Sequence, residues 1–205
     1  MNKIIAAFAV ALCMTAFVTA YSDNVQTDLQ SNMIRLHIIA NSDSDEDQAV
    51  KLKVRDAVLK ETGSKIADSD EEICKDNIAN NLDEVKKIAD RVLEENGFDY
   101  KSYAQYGKFP FPEKSYKSMT LPAGDYYGVR IVLGEGNGHN WWCVMYPPLC
   151  FKEGKEAQLS RESEKILREK LDKDTYDIIT KKDDKVVVKF KIVEFVQSIK
   201  QKMRR

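Results

Sequence analysis

The chain has 205 residues with 32 basic and 33 acidic side chains, and 43 % of it is apolar, the composition of an ordinary soluble protein of one or at most two domains. A formal charge of −1 lacks the basic excess on which nucleic-acid binding rests, so DNA and RNA are excluded as first expectations. A charged fraction of 32 % with 9 % aromatic residues does not describe disorder along the whole length.

Met1, Asn2 and Lys3 precede an uncharged, mostly apolar stretch from Ile4 to Ala20. Val18 and Ala20 stand three residues and one residue before a cut ahead of Tyr21, which is a secretory-signal layout. At 1.5 Å per residue the stretch spans about 25 Å, short for a bilayer crossing, so residues 1–20 are expected to be cleaved, with a retained anchor as the alternative. Either way the folded part lies outside the cytoplasm.

From Met33 to Asn41 the chain alternates: Ile34, Leu36, Ile38 and Ala40 on one face, Arg35, His37 and Asn41 on the other, as in a half-buried strand. Ser42 to Asp47 suits a helix N-terminus and leads into Val50, Val54, Ala57 and Val58 at helical spacing, ending near Thr62-Gly63. A second helix is predicted from about Asp70 to Asn96, with Ile73, Ile78, Leu82, Val85, Ala89 and Val92 inward and Gly97 past its end.

The stretch from Tyr100 to Gly134 has no helical period and reads as strands: Tyr103 to Phe111, a short Lys117 to Leu121, then Tyr127, Val129, Ile131 and Leu133 in alternation. After the glycine-rich turn Gly134 to Asn140, the run Trp141 to Tyr146 is apolar on both sides, a strand that is central or covered. Lys152 to Lys173 reads as a weakly held charged helical arm, with Leu159, Ile166, Leu167 and Leu171 its buriable residues. Lys185 to Phe190 is a short strand or the start of a helix. A terminal helix follows, with Ile192, Val196, Ile199 and Met203 on one face and Lys200, Lys202, Arg204 and Arg205 on the other.

The expected fold is α+β: an antiparallel or mixed sheet with two long helices on one face, plus a C-terminal helical arm. The divisions are residues 1–20, a secretory signal peptide; 21–151, the α+β domain; and 152–205, the charged arm and basic C-terminal helix, packing on the same domain.

Cys13 leaves with the leader, and Cys74 falls on the register of Ile78, Leu82, Val85 and Val92, as a buried free thiol would. Cys143 and Cys150 flank Pro147 and Pro148, and export gives them an oxidising setting. A Cys143–Cys150 disulfide is therefore expected, whereas a poorly oxidising habitat would leave two thiols. Asp43-x-Asp45-x-Asp47 copies the opening of a calcium loop but fails it at Gln48 and Val54. Gly134-x-Gly136-x-Gly138 lacks the following helix that a phosphate cradle needs.

His139 with Cys143 is the minimum for a cysteine nucleophile, yet no orienting residue stands outside the same turn. His37, His139, Cys143 and Cys150 lack paired zinc spacing. No catalytic set, metal or cofactor is expected. Arg35, His37 and Asn41 are a solvated or helix-capping row, or else a recognition face. Trp141 and Trp142 point to opposite sides, so either the strand is central and doubly covered, or one ring beside the Pro147-Pro148 turn is exposed as an interface anchor. The second reading makes Trp141, Trp142, Pro147, Pro148 and the glycine turn a partner-binding surface.

Two blocks carry a resemblance: IRLHIIANSDSDEDQAVKLKVRDAVL from Ile34 to Leu59, and LPAGDYYGVRIVLGEGNGHNWWCVMYPPLCF from Leu121 to Phe151. With a KFKIVEF ending at Lys189 to Phe195, they resemble the stage II sporulation protein R family of endospore-forming Firmicutes. The resemblance implies a secreted signalling protein made in the forespore. It would enter the intermembrane space between forespore and mother cell and activate a membrane-embedded aspartic protease that processes a pro-sigma factor. Beside this protease activator stand two alternatives: an extracytoplasmic cysteine- or metal-dependent hydrolase, and a structural wall or membrane protein. Peripheral membrane contact through the basic C-terminal helix is a further expectation.

Overall fold

The computed structural model describes residues 2–66, 71–116, 118–147, 161–181 and 184–203. Helix α1 (Asn2–Ser31) has two unlike halves. Its span Lys3–Ser31 is long and apolar enough to cross a membrane, and Phe8 and Phe17 in the first half are more than 70 % exposed. No described side chain before Ser22 is buried. Beyond it Ser22, Val25, Gln26 and Leu29 are buried at helical spacing, so the second half belongs to the folded domain. The apolar helix is compatible with a signal sequence.

Strand β1 (Ile34–Ile39) is central to a four-stranded sheet with β2 (Ser102–Phe111), β5 (Gly124–Leu133) and β6 (Asn140–Tyr146), in the order β2-β5-β1-β6. β1 runs parallel to β5, while β6 on β1 and β2 on β5 are antiparallel, so the sheet is mixed. A small ribbon of β3 (Lys114–Ser115) and β4 (Thr120–Leu121) stands apart. The expected α+β class with a mixed sheet is what the chain adopts.

Helices α2 (Asp45–Ile66) and α3 (Glu71–Glu95) cover one face. Val50, Val54 and Val58 from α2 and Ile78, Val85, Ala89 and Leu93 from α3 meet Leu36, Ile38, Val129, Ile131, Leu133 and Met145 from the sheet. The other face carries a second core. There Val25 and Leu29 of α1 join Leu167 of α4 (Arg161–Lys170), Ile178 and Ile179 of α5 (Lys173–Thr180) and Phe190 and Val193 of α6 (Asp184–Met203).

One expectation changes and two that were left open are decided. The described part of the charged arm is firmly seated, with Leu167 fully buried and Leu171 nearly so. Its charges stay outside and pair along the helix, as Glu164 does with Arg168 at 2.9 Å. The stretch from Lys185 to Phe190 is helix, the first turns of α6. The strand with two tryptophans is the sheet's last in order rather than central, although both its faces are covered. Leu159, expected to be buried in the arm, lies outside the described residues.

Candidate functional site

Strand alternation separates β1 into two chemistries. Leu36 and Ile38 enter the core beneath α2 and α3, and Arg35 and His37 take the opposite face. The parallel register sets His37 beside Arg130 of β5, and the antiparallel register sets it beside Trp142 of β6. Three adjacent strands thus place Arg130, His37 and Trp142 in one row.

His37 is 4 % exposed. Its ring stacks on Trp142 with centroids 3.7 Å apart, and Nε2 lies 2.7 Å from Asn140 Oδ1. With Nε2–H donating to that oxygen, Nδ1 is left as an acceptor, buried and without a partner. Burial pushes the imidazole pKa down to about 4, the Asn140 hydrogen bond opposes this, and the Arg130 and Arg35 charges add to it. His37 is therefore neutral at physiological pH.

Arg35 is fully buried. Its guanidinium carbon lies 4.3 Å from the Phe111 ring centroid and 4.9 Å from that of Tyr126, and Nη2 donates to Tyr116 Oη at 3.4 Å. Nε and Nη1 have no partner. Gly128 makes room for this arrangement: a Cβ there would meet Arg35 O at 2.6 Å and Phe111 Cζ at 3.1 Å. Arg130, half-buried, lies over Phe109 at 4.0 Å with Nε unpartnered, and burial lowers its pKa. A buried cation with open donors is unfavourable unless something compensates it, so this face retains polarity that folding alone does not call for.

The other expected site residues divide. Trp141 lies on the α2 side, packed against the first core with Arg55 4.4 Å over its ring, so only Trp142 joins Arg35 and His37. Asn41 does not continue their row. It lies past the end of β1, its Nδ2 donating to Asp47 Oδ2 at 2.9 Å and its Oδ1 accepting from Glu135 N at 3.0 Å. It ties the glycine turn to the start of α2, and Gly134 leaves space for it, since a Cβ there would meet Asn41 Oδ1 at 2.2 Å. Pro147 is buried; Pro148 and Cys150 lie outside the described residues. Cys143 is 4 % exposed and disulfide-bonded, and the pairing with Cys150 and the state of the Cys74 side chain lie outside the described residues as well.

The weaker motifs resolve into scaffold. Asp47 accepts from Ser42 at 2.5 Å, from Asn41 and from Tyr100; burial alone would raise its pKa, and these bonds hold it low. Asp43 accepts from both the backbone N–H (2.6 Å) and Nδ1 (2.5 Å) of His139. His139 thereby faces Asp43 at an exposed turn. Among the described residues no group of three or more His, Cys, Asp or Glu could hold a metal.

Sequence reading passed over Arg130, Phe109, Phe111, Tyr116 and Tyr126 as site residues. One signal was present: with Val129, Ile131 and Leu133 inward, Arg130 must face the opposite side. Its place beside His37 needed the β1–β5 pairing, which connects residues far apart in sequence.

Compared with known proteins, residues 30–156 match the family model described as stage II sporulation protein R. The chain is similar to the stage II sporulation protein R of Bacillus subtilis (strain 168), 37 % identical over 193 residues covering 87 % of this chain and 86 % of the relative. No solved structure matches.

Proposed function

The chain belongs to the stage II sporulation protein R family, and on that premise we propose that it is a secreted sporulation signal. Made in the forespore, it enters the space between forespore and mother cell and activates a membrane-embedded aspartic protease that removes the pro-segment of a sigma factor. It acts as a ligand rather than an enzyme. To activate, it must bind the active or assembled state of the protease more tightly than the idle one, because equal affinity shifts no population.

The observation that carries this reading is the margin of the polar face, where half-buried Arg130 and Trp142 stand beside buried His37 and Arg35. It is polar and aromatic, built on rigid strands and backed by a core, and its donors are unspent. Such a face suits recognition. The apolar N-terminal helix supports export. A disulfide-bonded Cys143 is not a thiolate, which speaks against the cysteine form of the hydrolase alternative; we assign the bond to Cys143 and Cys150. On α6, Phe195 and Met203 are 67 % and 82 % exposed beside exposed Lys202, a surface suited to peripheral lipid contact, while Lys200 is paired with Asp23 at 2.5 Å. Nucleic acid is not among the proposed partners.

Co-expression with the candidate protease and its pro-sigma substrate, scored for processing, tests the reading. Processing should require the exported chain and persist in H139A. Processing that is independent of this chain would refute activation, and loss of processing in a folded, exported H139A variant would favour the hydrolase.

A further inference from the structure

Among the described residues, the two arginines on the second face of the sheet have no counter-ion. Arg35 is wholly buried with Nε and Nη1 unpartnered, and Arg130 has a buried, unpartnered Nε. What faces them is aromatic or neutral: Phe109, Phe111, Tyr116, Tyr126, and His37 held neutral between Trp142 and Asn140. Arg35 lies beside Gly128 and His37 beside Arg130 in the same register, so the two cations occupy neighbouring strands two residue pairs apart on one face. Both lose hydration where they are buried, and donors left without a partner there are unfavourable. One anion would relieve that cost.

Resting on the reading of this face as the protease-contacting surface, we infer that it receives a carboxylate from the partner protein. Arg130 forms the ion pair and the His37–Trp142 stack walls the site. A guanidinium fork matches the planar carboxylate in two parallel hydrogen bonds. One guanidinium fork at Arg130 is matched by one planar anion, so the ligand is a single acidic group. Arg130 is half-buried and takes the group; Arg35, behind Phe111, contributes its field. A side chain delivered by a folded partner would complete the desolvation and bring the pair into the range where it counts for affinity.

The probe is acetate, with acetamide as its uncharged counterpart at matched chloride ionic strength. The protein is the chain from Tyr21 onward, which retains every buried side chain among the described residues. The Arg130 Nε–H and Trp142 indole N–H signals are followed by nuclear magnetic resonance. Acetate, titrated to about 100 mM because so small an anion is bounded to weak binding, should shift both saturably, and acetamide should not. R130Q should weaken binding about ten- to hundred-fold, the weight of a charge-assisted hydrogen bond, and R130K should fall between. Inorganic phosphate binding more tightly than acetate would replace the carboxylate with a phosphate ligand and overturn the assignment. So would an absent or non-saturable shift, or an unchanged one in R130Q. If R130Q abolishes acetate binding yet leaves pro-sigma processing at the wild-type level, the anion site stands and its use in protease contact is refuted.

Discussion

The two faces of the central sheet are built from alternate residues of the same strands and follow different rules. The face under α2 and α3 is dominated by apolar side chains, with Leu36, Ile38, Val129, Ile131 and Leu133 all fully buried. The opposite face buries an arginine and a histidine among aromatic rings, with His37 Nδ1 and guanidinium donors unpaired. The first face is explained by burial of apolar surface alone. The second carries a desolvation cost that a sequence selected only for stability would have removed, and such costs are kept where function needs them.

The sharpest way to break the comparison is to truncate neighbours on β1. Leu36→Ala should cost about 2–5 kcal/mol, as for large-to-small changes in a packed core, measured by denaturant unfolding. Arg35→Met keeps the stem and removes the unpaired donors, so its stability should be unchanged or raised. Equal destabilisation by the two variants would show that Arg35 is as structural as Leu36.

Acid reveals the same asymmetry through His37. Its folded pKa, about 4, lies below the ordinary value near 6.5, so the unfolded chain binds a proton that the folded chain refuses. The stability from burying neutral imidazole is fully present above pH 6.5 and is lost as pH falls toward 4. Between pH 6.5 and 5 the wild type should lose about 2 kcal/mol that H37Q does not lose; most carboxylates titrate below this window. Parallel pH profiles for the two proteins would mean that His37 is reached by solvent.

Asn41 tests the boundary between the faces. It links the glycine turn to α2 through Asp47 and Glu135 N, and its removal should cost about 1 kcal/mol, the weight of a partly buried hydrogen bond. Thermal melting of N41A checks this, and processing activity should follow stability alone. An activity loss beyond that would return Asn41 to the recognition surface.

Much of the fold was legible because its signals are local. The alternation from Ile34 to Ala40 and the 3.6-residue spacing in α2 and α3 each predict an element without reference to the rest of the chain. The second half of α1 was missed although Val25 and Leu29 stand one turn apart, because the leader and the first strand drew the reading on either side. Lys185 to Phe190 was ambiguous because three consecutive valines fit a strand as well as the start of a helix. The candidate site was half legible: Arg35 and His37 are read from one strand's parity, and Trp142 from another's. Trp141 and Asn41 were placed with them because sequence gives the alternation but not the end of a strand or the identity of the covering layer.

Processing of the pro-sigma factor by co-expressed protease, compared between W142A and W141A with export and melting temperature measured alongside, tests the central claim most directly. Trp142 stacks on His37 at the polar face, and Trp141 packs on the core beneath α2. The account predicts that W142A remains exported and folded yet loses processing, and that W141A loses processing only to the extent that it loses folded protein. Normal processing by W142A, or loss of processing by a fully folded W141A, would contradict it.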